Sequence, residues 1–229
     1  MKEEKGNILF CGVGGQGVVL ASEVAARALL GAGFDVKKSE VHGMARRGGS
    51  VVAHVRFGRK VHSPVISAGE ADTVIAFELL ESLRYAGHFS PGGLVIVNTQ
   101  RIPPLSVSSG REKYPTGILS ILRRRRMSVW PLDALGVSLE LGEARVLGMV
   151  MAGALSEILP VSWKVLADVA ASLVPRRYRE ANLAALERGR GLASGLVSKR
   201  ENFATEEMPA LPPRGEMREI RGQLQDLWR

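Results

Sequence analysis

Ile8-Leu9-Phe10-Cys11-Gly12-Val13-Gly14-Gly15-Gln16-Gly17 is the stretch on which the fold turns. Its apolar start predicts a buried strand, its glycines a tight turn, and Val18 to Leu30 the helix that follows. Gly12, Gly14 and Gly17 satisfy G-x-G-x-x-G. In that pattern the first glycine permits the turn, the second lets backbone approach a ligand, and the third lets helix pack on strand. The N–H groups and positive dipole end at the start of such a helix suit an anion such as a pyrophosphate. Two readings stay open at this point. The turn is a cradle for a cofactor phosphate, or it is a close strand–helix corner whose crevice another protein segment fills.

Outward from this stretch the pattern is one of strands alternating with helices. Gly31-Ala32-Gly33 ends the first helix, and Phe34 to Glu40 predicts a half-exposed second strand. Val41 to Ser50, with four glycines or arginines in Arg46-Arg47-Gly48-Gly49, predicts a loop of freely shaped backbone. Ser50 to Phe57 and Lys60 to Ile66 read as a hairpin about Gly58-Arg59. Ala71 to Phe77 and Leu94 to Val97 read as further buried strands, with a helix over Glu78 to Ala86 between them. Gln100 to Tyr114 is a long polar loop. Thr116 to Arg126 is a helix, Met127 to Trp130 a strand, and Ala144 to Leu159, Trp163 to Leu173 and Tyr178 to Arg190 are helices. Gly148, Ala152 and Gly153 give the first of these three a small, close-packing face. The fold class is therefore α/β, a Rossmann-like doubly wound sheet with a β-hairpin insertion and additional C-terminal helices. Residues 1–195 make this domain, and 196–229 a linker and short helix striped by Met217, Ile220, Leu224 and Leu227.

Composition narrows the chemistry. A chain of 229 residues, 45% hydrophobic, buries a sizeable core. A net charge of +8 points to an anionic partner. Cys11 is the only cysteine, which excludes an internal disulfide, a zinc finger, or an iron–sulfur cluster held by this chain's own thiolates. The mixed Lys/Glu start lacks the design of a signal peptide, and no apolar run is long enough to cross a bilayer, so a soluble, cytoplasmic protein with no membrane partner is expected. Arg123 to Arg126 invite a nucleic-acid reading. Arginines also suit a helix C-terminus, and no aromatic residues interleave with these.

Taken together, Gly12 to Gly17, Ser39-Glu40-Val41-His42-Gly43-Met44 and Arg47-Gly48-Gly49-Ser50-Val51 resemble the small beta or gamma subunits of thiamine-dependent 2-oxoacid:ferredoxin oxidoreductases, nearest to the indolepyruvate branch. The likeness continues through Ser63-Pro64, Ala71-Asp72, Phe77-Glu78, Asn98-Thr99 and Val174-Pro175 to Asn182, covering about residues 6 to 192. Departures occur at Arg46, where the family often has Gln, at Gly148, where Asn is common, and at Ala184-Ala185-Leu186. The resemblance implies a holoenzyme in which a larger subunit holds thiamine diphosphate and 4Fe–4S clusters, coenzyme A takes the acyl group, and electrons pass to ferredoxin. This chain would position and shield, inactive alone, with no catalytic residue of its own to name.

The candidate cofactor-facing residues are Gly12, Gly14, Gly15, Gln16, Gly17, Glu40, His42, Gly43, Met44, Arg47, Gly48 and Gly49; no metal ligands are expected. Arg47 offers a planar donor fork for a coenzyme A phosphate, or for an acidic residue across a subunit interface. His42 titrates near neutrality or only hydrogen-bonds backbone. Gln16 donates to a ligand or caps the helix. Glu40 is the nearest acid to a ribose-binding position, as a freestanding dinucleotide-binding protein would require. That protein and a basic nucleic-acid-binding module are the competing readings.

Overall fold

A computed structural model describes residues 5–43 and 48–203, with side chains given through residue 196. The glycine stretch joins strand β1 (Gly6–Val13) to helix α1 (Val18–Gly31). There follow β2 (Asp35–His42), β3 (Ser50–Gly58), β4 (Ala71–Ala76), α2 (Leu79–Arg84), β5 (Phe89–Asn98), α3 (Leu105–Ser108), α4 (Ile118–Arg124) and β6 (Ser128–Leu132). The last elements are α5 (Ala134–Glu140), α6 (Leu147–Leu155), α7 (Trp163–Leu173) and α8 (Arg179–Phe203).

One mixed sheet carries these helices, in the order β2-β3-β1-β4-β5-β6. β1, β4, β5 and β6 are parallel, whereas β3 runs antiparallel to both β1 and β2. The chain leaves β1 toward one edge through α1 and later crosses to the other edge through β4. The strand order thus reverses beside the glycine turn, where open α/β sheets form their ligand crevice. Alternation along β1 divides the core. Ile8 and Phe10 pack with α1, α6, α7 and α8, while Leu9 and Cys11 pack with Leu79, Leu83 and Leu122 on the other face. Helices therefore cover both faces, as the doubly wound class requires.

Every residue of α6 is buried. Its small face meets α8 at backbone distance: a Cβ on Gly153 would strike the Leu186 carbonyl, and one on Gly189 the Val150 carbonyl. At its other end Gly148 lies against Gly17, where an added Cβ would stand 2.9 Å from the Gly17 oxygen. The unusual glycine at 148 thus lets α6 abut the turn.

The sequence reading needs three corrections. The hairpin partner of β3 is β2, registered from Asp35↔Gly58 to His42↔Val51, and residues 60–66 form no strand. Pro64 has no N–H to give a ladder. That segment is held by side chains instead: the Val61 N–H donates to Asp35 Oδ2 (2.8 Å), Arg56 Nη1 to the Val65 carbonyl (3.0 Å), and the Ile66 N–H to His54 Nδ1 (3.3 Å). A seven-residue helix, α5, was not expected after β6; Asp133 caps it by accepting the Gly136 N–H at 2.9 Å. Finally, α8 continues to Phe203, well past Arg190. The stripe from Met217 to Leu227 lies outside the described residues.

Candidate functional site at the glycine turn

The Gly14 N–H donates to the Gly49 carbonyl at 2.8 Å, and Val13 pairs with Ser50 at the end of the β1–β3 ladder. These contacts bring the two distinctive sequence segments, thirty residues apart, into one mouth at the C-terminal edge of β1. The Gly43 N–H donates to the Ser50 carbonyl at 3.2 Å, closing the base of the loop that holds residues 43–49. Gly15 (φ +104°) and Gly48 (φ +78°) flank the Gly14–Gly49 bond in backbone conformations that disfavour side chains. Among the described residues nothing stands within 4 Å of where a Cβ on either would lie. The opening N–H groups of α1 have no partners within the helix, so a phosphate or carboxylate can seat against this backbone.

Gln16 faces the other way. Its Oε1 accepts the Val13 N–H (2.8 Å), and its Nε2 donates to the Phe77 carbonyl (2.8 Å) and to Gln100 Oε1 (2.9 Å). This buried side chain fills the crevice between β1 and β4. Gly12 is equally confined, since a Cβ there would stand 2.7 Å from that of Phe77. Asn98 ties the next gap, donating to the Phe77 carbonyl and accepting the Ala134 N–H. So of the glycine-turn candidates, Gly15 faces open space, while Gly12, Gln16 and Gly17 serve packing and Gly14 holds the Gly49 loop.

Glu40 lies apart from the mouth. It stands on β2, level with Ala53 and Phe10, with the whole of β3 between it and β1. Its carboxylate binds Lys38 and meets His42 Nε2 at 3.2 Å. His42 is exposed at the end of this edge strand. Met44 and Arg47 lie outside the described residues. A ribose-binding acid has no route to the turn from Glu40. Arg125, within the arginine run, turns back to donate to the Ala86 carbonyl at 3.3 Å.

Sequence reasoning missed a polar cluster beneath the mouth, on the α2 face. The Ser50 hydroxyl donates to Glu81 Oε2, Arg84 Nε donates to Glu81 Oε1 at 2.8 Å, and the Tyr85 hydroxyl lies 3.1 Å from Ser50 Oγ. Burial pushes the Glu81 carboxyl above its ordinary range against the opposing pull of Ser50 and Arg84, and burial likewise raises the Tyr85 phenol. Beside it, Glu78 caps α2 through the Glu81 N–H (2.9 Å) and accepts from Tyr114 (2.7 Å) and the Ile102 N–H (2.9 Å). Tyr114 is held protonated by burial and by that bond. The available signal was a carboxylate inside the apolar run Leu79-Leu80-Glu81-Ser82-Leu83. His54 is held neutral mainly by burial, consistent with its Nδ1 accepting a backbone N–H. Among the described residues no group of three or more His, Cys, Asp or Glu is placed to hold a metal ion, and no helix is long and apolar enough to cross a membrane.

With the mouth so defined, residues 7–192 match the pyruvate ferredoxin/flavodoxin oxidoreductase family. The chain belongs to this family. An indolepyruvate oxidoreductase subunit IorB from Thermococcus kodakarensis is 38% identical over 188 residues, covering 80% of this chain and 93% of that protein. In fold, the gamma subunit of a keto/oxoacid ferredoxin oxidoreductase from Geobacter sulfurreducens superposes with a TM-score of 0.62 at 21% identity, over 82% of this chain and 98% of that one. A 2-oxoglutarate:ferredoxin oxidoreductase from Magnetococcus marinus, with 2-oxoglutarate, coenzyme A and succinyl-CoA bound, gives 0.64 at 21% identity, over 85% of this chain and 32% of the other. For a family member, a site made of turn backbone rather than acid–base side chains suits a chain that binds and positions.

Proposed function

We propose that this chain is the small, cluster-free subunit of a cytoplasmic 2-oxoacid:ferredoxin oxidoreductase of the indolepyruvate or aryl-pyruvate type, inactive alone. A larger subunit would bind thiamine diphosphate and 4Fe–4S clusters and deliver electrons to ferredoxin. In this reading the mouth of this chain receives the phosphate-bearing part of coenzyme A. Coenzyme A supplies the thiol that accepts the acyl group. The chain's contribution is to hold the anion with backbone N–H groups at Gly15 and the start of α1, with Arg47 as the side-chain donor. The observation that carries this reading is the Gly14–Gly49 bond, which joins both segments of the family likeness beside Gly15 and Gly48, where no described residue stands in the way of a ligand.

The test is purification of the complex, followed by coenzyme A-dependent reduction of a low-potential dye with indolepyruvate, phenylpyruvate, pyruvate and 2-oxoglutarate. Two variants address the mouth. Asn and Asp both tolerate left-handed backbone, so Gly48→Asn and Gly48→Asp differ chiefly in charge. Gly48→Asp should raise the KM for coenzyme A about fivefold over Gly48→Asn, as a carboxylate several ångströms from a phosphate repels it by about 1 kcal/mol. Equal KM values would remove the mouth as the cosubstrate site. Absence of any oxoacid-dependent reduction by the purified complex would remove the enzyme reading.

A further inference from the structure

Ser50 is a node. Its backbone pairs with Val13 at the end of β1, its carbonyl takes the Gly43 N–H, and its neighbour Gly49 takes the Gly14 N–H. Both ends of the loop spanning 43–49, and the turn it touches, are thus referred to one residue. The hydroxyl of that residue is fixed from below by α2. It donates to Glu81 Oε2, so the Tyr85 hydroxyl, 3.1 Å away, donates to Ser50 Oγ. Glu81 is in turn oriented by Arg84 at 2.8 Å and is 4% exposed. The Cys11 thiol closes the rear, donating to the Glu81 carbonyl at 3.7 Å. The cluster lies beneath the mouth, and a buried carboxylate, even one paired with Arg84, is costly unless the placement of the hydroxyl it holds matters.

We infer that Glu81, acting through Ser50, is a positioning residue that sets Gly49 against Gly14 and so fixes the geometry of the glycine mouth. The contact chain runs from α2 through Glu81 and Ser50 to Gly49 and Gly14, with Tyr85 and Arg84 holding its two hinges. A serine hydroxyl can rotate to any staggered position; here it has one acceptor and one donor, and each fixes the other. Removing the carboxylate frees the hydroxyl, which keeps Tyr85 alone as its neighbour, and takes from Arg84 the acceptor at 2.8 Å. Loss of order should appear first at the two backbone bonds that the Ser50 node supports.

The decisive measurement is residue-resolved hydrogen exchange of the Gly14 and Gly43 amides in the full chain, for Ser50→Ala, Glu81→Ala, Glu81→Gln and Ser50→Thr. Loss of the anchor should speed both amides about tenfold in Ser50→Ala and Glu81→Ala, as expected for weakening one buried hydrogen bond. Ser50→Thr keeps the hydroxyl on a β-strand and should restore protection; Glu81→Gln should fall between. Amides inside β1, at Leu9 and Phe10, should keep their wild-type rates. Unchanged Gly14 and Gly43 exchange in the two alanine variants, or equal acceleration at Leu9 and Phe10, would overturn the inference, the latter by reducing Glu81 to general stability. In the assembled enzyme the same variants should raise the KM for coenzyme A more than they lower kcat. That second readout rests on the function proposed above, whereas the exchange result does not, so the two can fail separately.

Discussion

The two ends of the sheet are built oppositely. At the C-terminal edge, side chains of Gln16, Asn98 and Glu78 satisfy backbone groups of neighbouring strands and helices, and among the described residues glycines line the opening that remains. At the N-terminal edge a cavity of about 870 Å³ opens among charged side chains, with Lys5, Arg56, Arg59 and Lys60 against Glu70 and Asp72. There the acids lie exposed: Asp72 accepts the Asn7 N–H from the neighbouring strand β1, and Glu70 the Ser67 N–H within its own turn. One edge is specified by geometry, the other by charge. A backbone-lined site needs a rigid frame, because no long side chain can reach out to compensate for a shifted turn.

Substitutions should separate the two edges sharply. The largest effect belongs to Gln16→Ala, which orphans the Val13 N–H in the closed crevice and leaves the Phe77 carbonyl with Asn98 as its donor. A loss of about 1–3 kcal/mol is expected by denaturant unfolding, the cost of one buried unpaired group. A change below 0.5 kcal/mol would show that the crevice is not the structural frame. Lys60→Glu at the opposite edge should alter stability by less than about 0.5 kcal/mol, because the side chain is exposed and away from any cap or core.

Smaller and subtler is the pH dependence, where the edges should carry opposite signs. Burial raises the Glu81 carboxyl above the ordinary glutamate range, so the folded chain binds its proton more tightly than the unfolded chain. That stabilisation is complete below 4.5 and is lost as pH rises through the folded value; Glu81→Gln should flatten this slope in thermal melts followed against pH. Asp35 at the other edge is held below 3.8 by the Val61 N–H and then Lys37, so its contribution is present above that value and disappears on acidification. Asp35→Asn should flatten only the acid limb, and least of all, because solvent reaches the partly exposed carboxyl and screens its partners. Slopes of the same sign in the two variants would contradict the contrast.

The frame of the molecule was legible where local pattern and tertiary role agree. The β1–turn–α1 unit follows from the glycines, and α7 has the bounds that Trp163, its N-cap Ser162 and Pro175 mark. The hairpin was misassigned because β2 and residues 60–66 offer similar extended, half-polar patterns. What decides between them is the ladder that Pro64 forbids and the long register that Asp35 to His42 allows. The site was legible as segments and not as roles. Glycine spacing announces a turn, but whether Gln16 points to a ligand or into the crevice depends on Phe77 and Gln100, more than sixty residues away. Apart from its apolar neighbours, Glu81 carries no signal of a role in the sequence, because its partner Ser50 arrives only through sheet pairing.

Cys11 offers a use of its own. It is the chain's single thiol, it sits in the strand at the centre of the sheet, and burial suppresses its thiolate. An alkylating reagent can therefore reach sulfur only when β1 separates from α2, and each modified molecule records one such event. The pace of modification is a clock for the opening of the sheet, readable by mass without any added probe.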